Sequence, residues 1–309
     1  VTNYNHIPVL MKEVLDGLRV RPGGYYGDGT LGGGGHSAAI LAASSPEGRL
    51  ICCDRDGAAI EAAKARLAEF AGRWEIHRGN FAEVAEFVQP GSLDGMLLDL
   101  GVSSHQLDEA GRGFSFQQDG PLDMRMDQRQ KQTAATVVNE FEAEELARIF
   151  WELGDEPQSR RYARAIEMDR KVRPFTTTRQ LADLIERLSP RHGRRVHPAT
   201  QVFQALRVHV NDELGSLRAG LEAALKILKA SGRLAVITFQ SHEARLVKDF
   251  GREKTLDYEY DGPVDDPHLR RPRQPEMRWV ERKAVTAGED ELDRNPRSRS
   301  AQLRVLEKI

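Results

Sequence analysis

Four short apolar runs, separated by stretches with helical spacing, occupy the residues from Arg21 to Ser104 and restrict the fold more than any other feature of the chain. The runs are YYGDGT, RLICCD, WEIHRG and LDGMLLDLG, with HSAAILAAS and GAAIEAAKARLAEFAG among the segments between them. In the longer connecting segment Ile60, Ala63, Leu67 and Phe70 recur every three to four residues, the spacing of a helix that lays one face on a sheet. Near-continuous apolar stretches such as LICC and MLL suit parallel strands covered on both faces. The pattern predicts a doubly wound α/β unit.

After Ser104 the rhythm changes to a loop rich in Gly, Asp and Met, GRGFSFQQDGPLDMRMD, followed by helical patterns to about Leu188. One predicted helix, EAEELARIFWELG, places Leu146, Ile149, Phe150 and Leu153 on one face, with Gly154 as its C-terminal stop. Strand character returns at RLAVITFQS, which is expected beside LDGMLLDLG in the same sheet, and continues in MRWVERKAV and SAQLRVLEK. A chain of 309 residues exceeds a typical single domain. The expected partition is a discontinuous α/β domain, 1–108 and 205–309, interrupted by a helical domain over 109–204.

Composition narrows the class. With 39% hydrophobic and 30% charged residues the chain reads as a soluble globular protein, and no apolar stretch nears the roughly 20 residues that span a bilayer. The first residues lack the basic start and apolar core of a secretory signal, so a cytoplasmic location is expected. Cys52 and Cys53 are adjacent within an apolar run and read as core packing rather than a disulfide.

Six glycines fall in the nine residues from Gly27 to Gly35, immediately after the first strand and before a helix. Such a loop brings backbone close to a ligand and aims helix N–H groups at it. Gly27, Gly29 and Gly32 also satisfy the dinucleotide pattern G-x-G-x-x-G, so the loop alone leaves a dehydrogenase reading open. Asp54, at the end of the next strand, can accept hydrogen bonds from ribose hydroxyls or serve as a helix cap. Phe81 after the third strand can pack on an adenine or belong to the core, and Asp99 to Ser104 follow the fourth strand. All lie at strand C-terminal ends, where an open α/β sheet forms its ligand crevice. His36 reads as a cofactor-side group at a helix start, since the histidines lack the spacing of a catalytic zinc site and no metal is expected.

The net charge of −2 conceals a local asymmetry: from Ser159 to His197 eleven Lys or Arg stand against four acidic residues. That is an electrostatic footprint for phosphates. Arg270, Arg271, Arg273, Arg297 and Arg299 extend the basic character. In HPATQVFQALRVHVNDEL, Phe203, Leu206, Val210 and Leu214 form a buried helical face opening at Pro198, while Gln204, Arg207 and Asn211 form a polar stripe facing a crevice or the surface.

The blocks HIPVL, DGTLGGGGHS, DLGVSSHQLDEAGRGFSFQQDGPLDMRMD, HPATQVFQALRVHVNDEL and NPRSRSAQLRVLEK together resemble the 16S rRNA (cytosine-N4)-methyltransferases, the MraW or RsmH family, over nearly the whole chain. The resemblance implies a class I, Rossmann-like S-adenosylmethionine-dependent methyltransferase sheet with an inserted helical substrate-recognition domain. It implies methyl transfer to the exocyclic amine of a cytidine in the small-subunit decoding centre, with 16S rRNA or the small ribosomal subunit as partner. By the same resemblance Gly34, Gly35, His36, Asp54, Phe81, Asp99 and Gln106 contact S-adenosyl-L-methionine, Gln106 on this ground alone. Gln204, Arg207 and Asn211 are the expected substrate contacts. Asp99, or backbone carbonyls near Gly101, would accept the amine proton, and Phe114, Phe116 or Met124 of the Gly-rich loop would either flank the extruded base or anchor the inserted domain. TFQSHEARLVKDF departs from the family's His-Ser-Leu-Glu turn at Gln240 and His242. An RNA-binding module without activity, and a methyltransferase acting on another RNA or on a small molecule, are the remaining alternatives.

Overall fold

In a computed structural model, which describes residues 8–191, 193, 196–260 and 266–309 apart from the side chains of Ser104 and His105, the four apolar runs are parallel strands. The first residues of HIPVL, and Arg194 and Arg195 of the basic run, lie outside the described residues. The first stretch holds α1 (Met11–Leu18), β1 (Tyr25–Asp28), α2 (Gly35–Ala43), β2 (Arg49–Asp54), α3 (Gly57–Arg66), β3 (Trp74–Arg78) and β4 (Leu93–Asp99). Helices follow: α4 (Ser104–Asp108), α5 (Ala134–Glu140), α6 (Ala143–Gly154), α7 (Ser159–Arg170), α8 (Thr178–Leu188) and α9 (Thr200–Val210). The last stretch holds α10 (Glu213–Ile227), β5 (Leu228–Thr238), α11 (Ser241–Thr255), β6 (Tyr258–Tyr260), β7 (Arg270–Pro272), β8 (Met277–Trp279), β9 (Val285–Thr286), α12 (Glu289–Arg294) and β10 (Gln302–Lys308).

The described residues form two compact units, one up to Gly101 and from Leu214 onward, the other Val102–Glu213. In the first, the sheet order is β3-β2-β1-β4-β5-β10-β8, with β9 also on β10. The pairs from β3 to β5 are parallel and those made by β10 are antiparallel. β4 and β5 are direct neighbours in this sheet although the whole helical segment separates them in sequence. Residue alternation explains the burial: Met96 and Leu98 of β4 join Leu234 and Val236 of β5 in one core, while Leu97, Ala235 and Ile237 join a second core with Tyr26, Leu50 and Cys52. A fully buried Leu in such a position contributes about 1.5–3 kcal/mol. Helices α1, α2 and α3 cover one face through Val14, Leu18, Ile40 and Ile60, and α10 and α11 the other through Leu217, Leu221 and Val247.

The second unit has its own core, in which Leu146 and Phe150 of α6, Tyr162 and Ile166 of α7, Leu181 and Ile185 of α8 and Phe203 and Leu206 of α9 pack together. Its edges fall at 101/102 and 213/214 rather than at 108/109 and 204/205: α9 is one uninterrupted helix, and Val202, Phe203, Ala205, Leu206 and Val210 on it belong to this core. Leu214 does not extend that face. Asn211 caps α9, Asp212 takes φ +45° and the next helix belongs to the other unit. Gly154 is likewise not the left-handed stop of α6, a conformation taken by Asp155 at φ +52°. Glycine is needed there because an added Cβ would stand 2.5 Å from the Gln201 carbonyl oxygen of α9.

The loop following α4 is held by hydrogen bonds and core packing. Buried Arg112 donates to the carbonyls of Arg125 and Met126, and Phe114 and Met124 are core residues. A base-flanking role for those two side chains is therefore replaced by a packing role. Phe116, only partly buried, stacks edge-on against Phe203 at 4.7 Å.

Candidate active site

The C-terminal ends of β1, β2 and β4 deliver Asp28, Asp54 and Asp99 to one edge of the sheet, and the order reverses between β1 and β4, where open α/β sheets bind ligands. The glycine loop is stitched across these ends. Gly32 N–H donates to Asp54 Oδ2 at 2.8 Å, Leu31 N–H to the Cys53 carbonyl at 3.1 Å, and Thr30 Oγ1 accepts from Asp99 N–H at 2.6 Å. Two glycines are required by geometry. Gly34, the residue before α2, takes φ +75° with an added Cβ 3.1 Å from Ala63, and at Gly29 a Cβ would stand 2.6 Å from Leu98 and 2.9 Å from Phe81. No side chain caps α2 at Gly34, so its first N–H groups are left to other acceptors.

Buried His36 and Ser37 form the first turn of α2 beside Gly35. Ser37 Oγ donates to Asp28 Oδ2 at 2.6 Å, and His36 Nε2 lies 3.6 Å from Asp99 Oδ2. Asp99 Oδ1 is buried and has no hydrogen-bond partner among the described residues. Burial first, then the charges of Asp28 and Glu243, push the Asp99 carboxyl up to about 8. Burial pushes Asp54 up to about 6 although both its oxygens accept backbone N–H bonds, from Asp56 and Gly32. The cap of α3 is Asp56, whose side chain accepts from Ala58 N–H, so Asp54 does not serve as the cap. Each Asp54 oxygen retains acceptor capacity for a ligand hydroxyl.

Phe81 follows Asn80, which caps the short turn Phe81–Glu86 and donates to Ser216 Oγ at 3.0 Å. The half-buried Phe81 ring packs against Gly220 of α10 and the core on that face. The first unit thus brings together Gly34, Gly35, His36, Asp54, Phe81 and Asp99. Gln106 belongs to the second unit, where its side-chain oxygen accepts from Ser103 N–H at 3.0 Å at the start of α4.

The expected substrate stripe on α9 divides. Asn211 is only 2% exposed: it accepts from Met126 N–H at 2.7 Å and donates to the carbonyls of Met124 and Arg207. Arg207 makes a two-pronged ion pair with Glu213 at 2.7 and 2.8 Å. Asn211 is thus a buried clamp on the preceding loop and not a surface contact; Gln204 is half-buried.

Sequence reasoning singled out neither Asp28, Ser37 nor Glu243 for a role here. Asp28 and Ser37 stand in the glycine motif itself, but their mutual bond needs the α2 turn. Buried Glu243 accepts from Phe239 N–H at 2.8 Å and Gln240 N–H at 3.1 Å, and so holds the first turn of α11. The departures at Gln240 and His242 leave that carboxylate anchor in place.

The raised Asp99 carboxyl, with Asp28 and Glu243 acting on it, suits a cationic ligand, whose charge would favour its ionised form. No group of three or more His, Cys, Asp or Glu among the described residues is arranged to hold a metal ion. A parallel sheet with an antiparallel final strand, a glycine loop after β1, an acid after β2 and an acid after β4 define a class I, S-adenosylmethionine-dependent methyltransferase. The chain belongs to the MraW methylase family, whose model matches residues 3–309. Relatives named ribosomal RNA small subunit methyltransferase H include one from Heliobacterium mobile, 47% identical over 99% of both chains. Others are from Symbiobacterium thermophilum, 49% identical over 99% of this chain and 97% of that one, and Syntrophotalea carbinolica, 49% identical over 99% and 98%.

Proposed function

We propose that this enzyme methylates the exocyclic N4 of a cytidine in the decoding region of small-subunit ribosomal RNA. The observation that carries the reading is the full-length relationship to ribosomal RNA small subunit methyltransferases at 47–49% identity.

The donor set fits S-adenosylmethionine, since the unpartnered buried oxygen of Asp99 and the surrounding carboxylates suit a cation. That cofactor, when bound, supplies an electrophilic methyl group on a positively charged sulfur. Gly34, Gly35 and His36 would hold it at the start of α2, Asp54 through its ribose hydroxyls, Phe81 against its base and Asp99 beside its charge. Gln106 is a cofactor contact only by resemblance to the family. The cytosine amine is a weak nucleophile because its lone pair is delocalised into the ring, so positioning supplies much of the rate. Asp99 accepts a hydrogen bond from that amine and takes its proton. The basic segment 159–197 of the helical unit, with eleven Lys or Arg against four acidic residues, recognises the RNA.

The test is transfer of labelled methyl from S-adenosylmethionine to small ribosomal subunits lacking the modification, with mass mapping of the product and an Asp99→Ala control. Label on a cytidine N4, lost in the variant, is the expected result. Cofactor binding without transfer to the subunit, or label at another atom, overturns the reading.

A further inference from the structure

Helix α6 presents a side chain that its own fold does not use. Leu146, Ile149 and Phe150 are buried in the helical core, whereas Trp151, the next residue, is 60% exposed on the face that carries Glu144 and Arg148. A lysine or glutamate at 151 would serve the helix as well and solubility better. Trp151 lines a groove of about 920 Å³ formed between α6 and the start of α7, together with Arg148, Arg160, Arg161 and Arg164. Glu144 is the one acidic residue in that lining.

The basic residues of this region have different duties. Arg170 donates to the carbonyls of Val138 and Phe141, and Arg187 pairs with Asp169 at 2.7 Å, so both are structural. Arg161 donates to Gln158 and Arg148 lies 3.6 Å from Glu145. Arg160 and Arg164 are exposed and make no hydrogen bond or ion pair to another described residue. An exposed indole beside such guanidinium groups matches the chemistry of a single strand of nucleic acid: the ring stacks on a base face and the arginines meet its phosphates. A duplex offers the phosphates but keeps its base faces stacked inside, and an acidic peptide offers carboxylates but no flat ring.

We infer that the Trp151 groove is a docking site for a single-stranded RNA segment, an inference that rests on the RNA-modifying function proposed above. Trp151 stacks one unpaired base. Arg160 and Arg164 bind the flanking phosphates, with Arg148 and Arg161 at the groove walls.

The test measures binding of a labelled single-stranded RNA oligonucleotide, copying the decoding region, to the full chain by fluorescence anisotropy across a salt titration. Trp151→Ala is expected to weaken binding about tenfold, within the range of one lost base stack. Trp151→Phe should restore most of the loss, and Arg160→Ala with Arg164→Ala should lower the salt slope by about 1.4. The same strand annealed into a duplex should be indifferent to Trp151. Retained S-adenosylhomocysteine binding and an unchanged thermal midpoint establish that each variant is folded; because Trp151 is exposed, a failed fold of the Ala variant would itself contradict the inference. Unchanged RNA affinity and slope in all variants overturn it, as does a polyglutamate probe that competes as well as RNA and depends equally on Trp151. Methyl transfer by the unaltered enzyme to small subunits is run alongside. Transfer with groove variants unchanged sinks the docking site alone, whereas no transfer with groove-dependent RNA binding sinks the proposed reaction alone.

Discussion

His36 Nε2 and Asp99 Oδ2 stand 3.6 Å apart, one on the first turn of α2 and the other at the end of β4, both within the closely packed strand-end site. The separation exceeds a hydrogen bond, and the other Asp99 oxygen lacks a partner among the described residues, so neither contact holds the carboxyl in its charged form.

Asp99 titrates at about 8 in the folded protein against an ordinary carboxylate value of about 4 when unfolded. The folded state therefore holds a proton that the unfolded state has released, and the associated stability is lost as pH rises through about 8. Asp99→Asn should raise the unfolding midpoint of the cofactor-free protein at about pH 9 while changing it little near pH 3. Thermal unfolding of both proteins across pH checks this, and equal differences at the two ends contradict it.

The same ionisation should appear in catalysis. With Asp99 as the proton acceptor, kcat/KM rises with pH through about 8, and Asp99→Asn loses roughly 10²–10⁴-fold in rate along with that limb. Glu243→Gln keeps an acceptor for the Phe239 and Gln240 N–H groups but removes a charge that raises Asp99, so the limb should move to lower pH. A pH–rate profile in which Glu243→Gln leaves the limb in place would show that the two carboxyls are uncoupled.

Cation binding beside Asp99 should expel its proton. Calorimetric titrations near pH 7 in buffers of different ionisation enthalpy should show more proton release for S-adenosylmethionine than for S-adenosylhomocysteine, which lacks the sulfonium charge. Identical release for the two ligands counts against Asp99 as the neighbour of that charge.

Gly34→Ala places a side chain at φ +75° and 3.1 Å from Ala63. Left-handed backbone alone costs about 1–2 kcal/mol, so a lower thermal midpoint and weaker cofactor binding should appear together. Binding at the unaltered affinity would indicate that the loop reaches its geometry by another route.

Asn211→Ala should be markedly destabilising, because it strands the buried carbonyl of Met124 and the partly buried N–H of Met126. The expected cost is about 1–3 kcal/mol per unsatisfied group, measured as a lower urea midpoint. A neutral effect would return Asn211 to the surface role that its helical spacing suggested.

The doubly wound sheet and its strand-end site were legible because both rest on local patterns. Continuous apolar runs such as MLL identify strands buried on two faces, and the Gly27–Gly35 loop announces itself by composition. The helical segment between β4 and β5 was legible for the same reason, as a change of hydrophobic period. The α9 stripe misled at Asn211, because three-to-four spacing places Gln204, Arg207 and Asn211 along a helix without saying which loop or helix will meet each of them. Asn211 meets the Met124–Met126 loop, more than eighty residues away in sequence.

Local sequence thus determined the elements, the glycine turn and the residues available at the strand ends, since each depends on interactions among near neighbours. Tertiary structure alone decided that Asp28 and Glu243 bear electrostatically on Asp99, that one Asp99 oxygen is left without a partner, and that Trp151 remains exposed beside buried Phe150. Charge coupling and burial depend on distances between segments remote in the chain, and only the packed fold sets those distances.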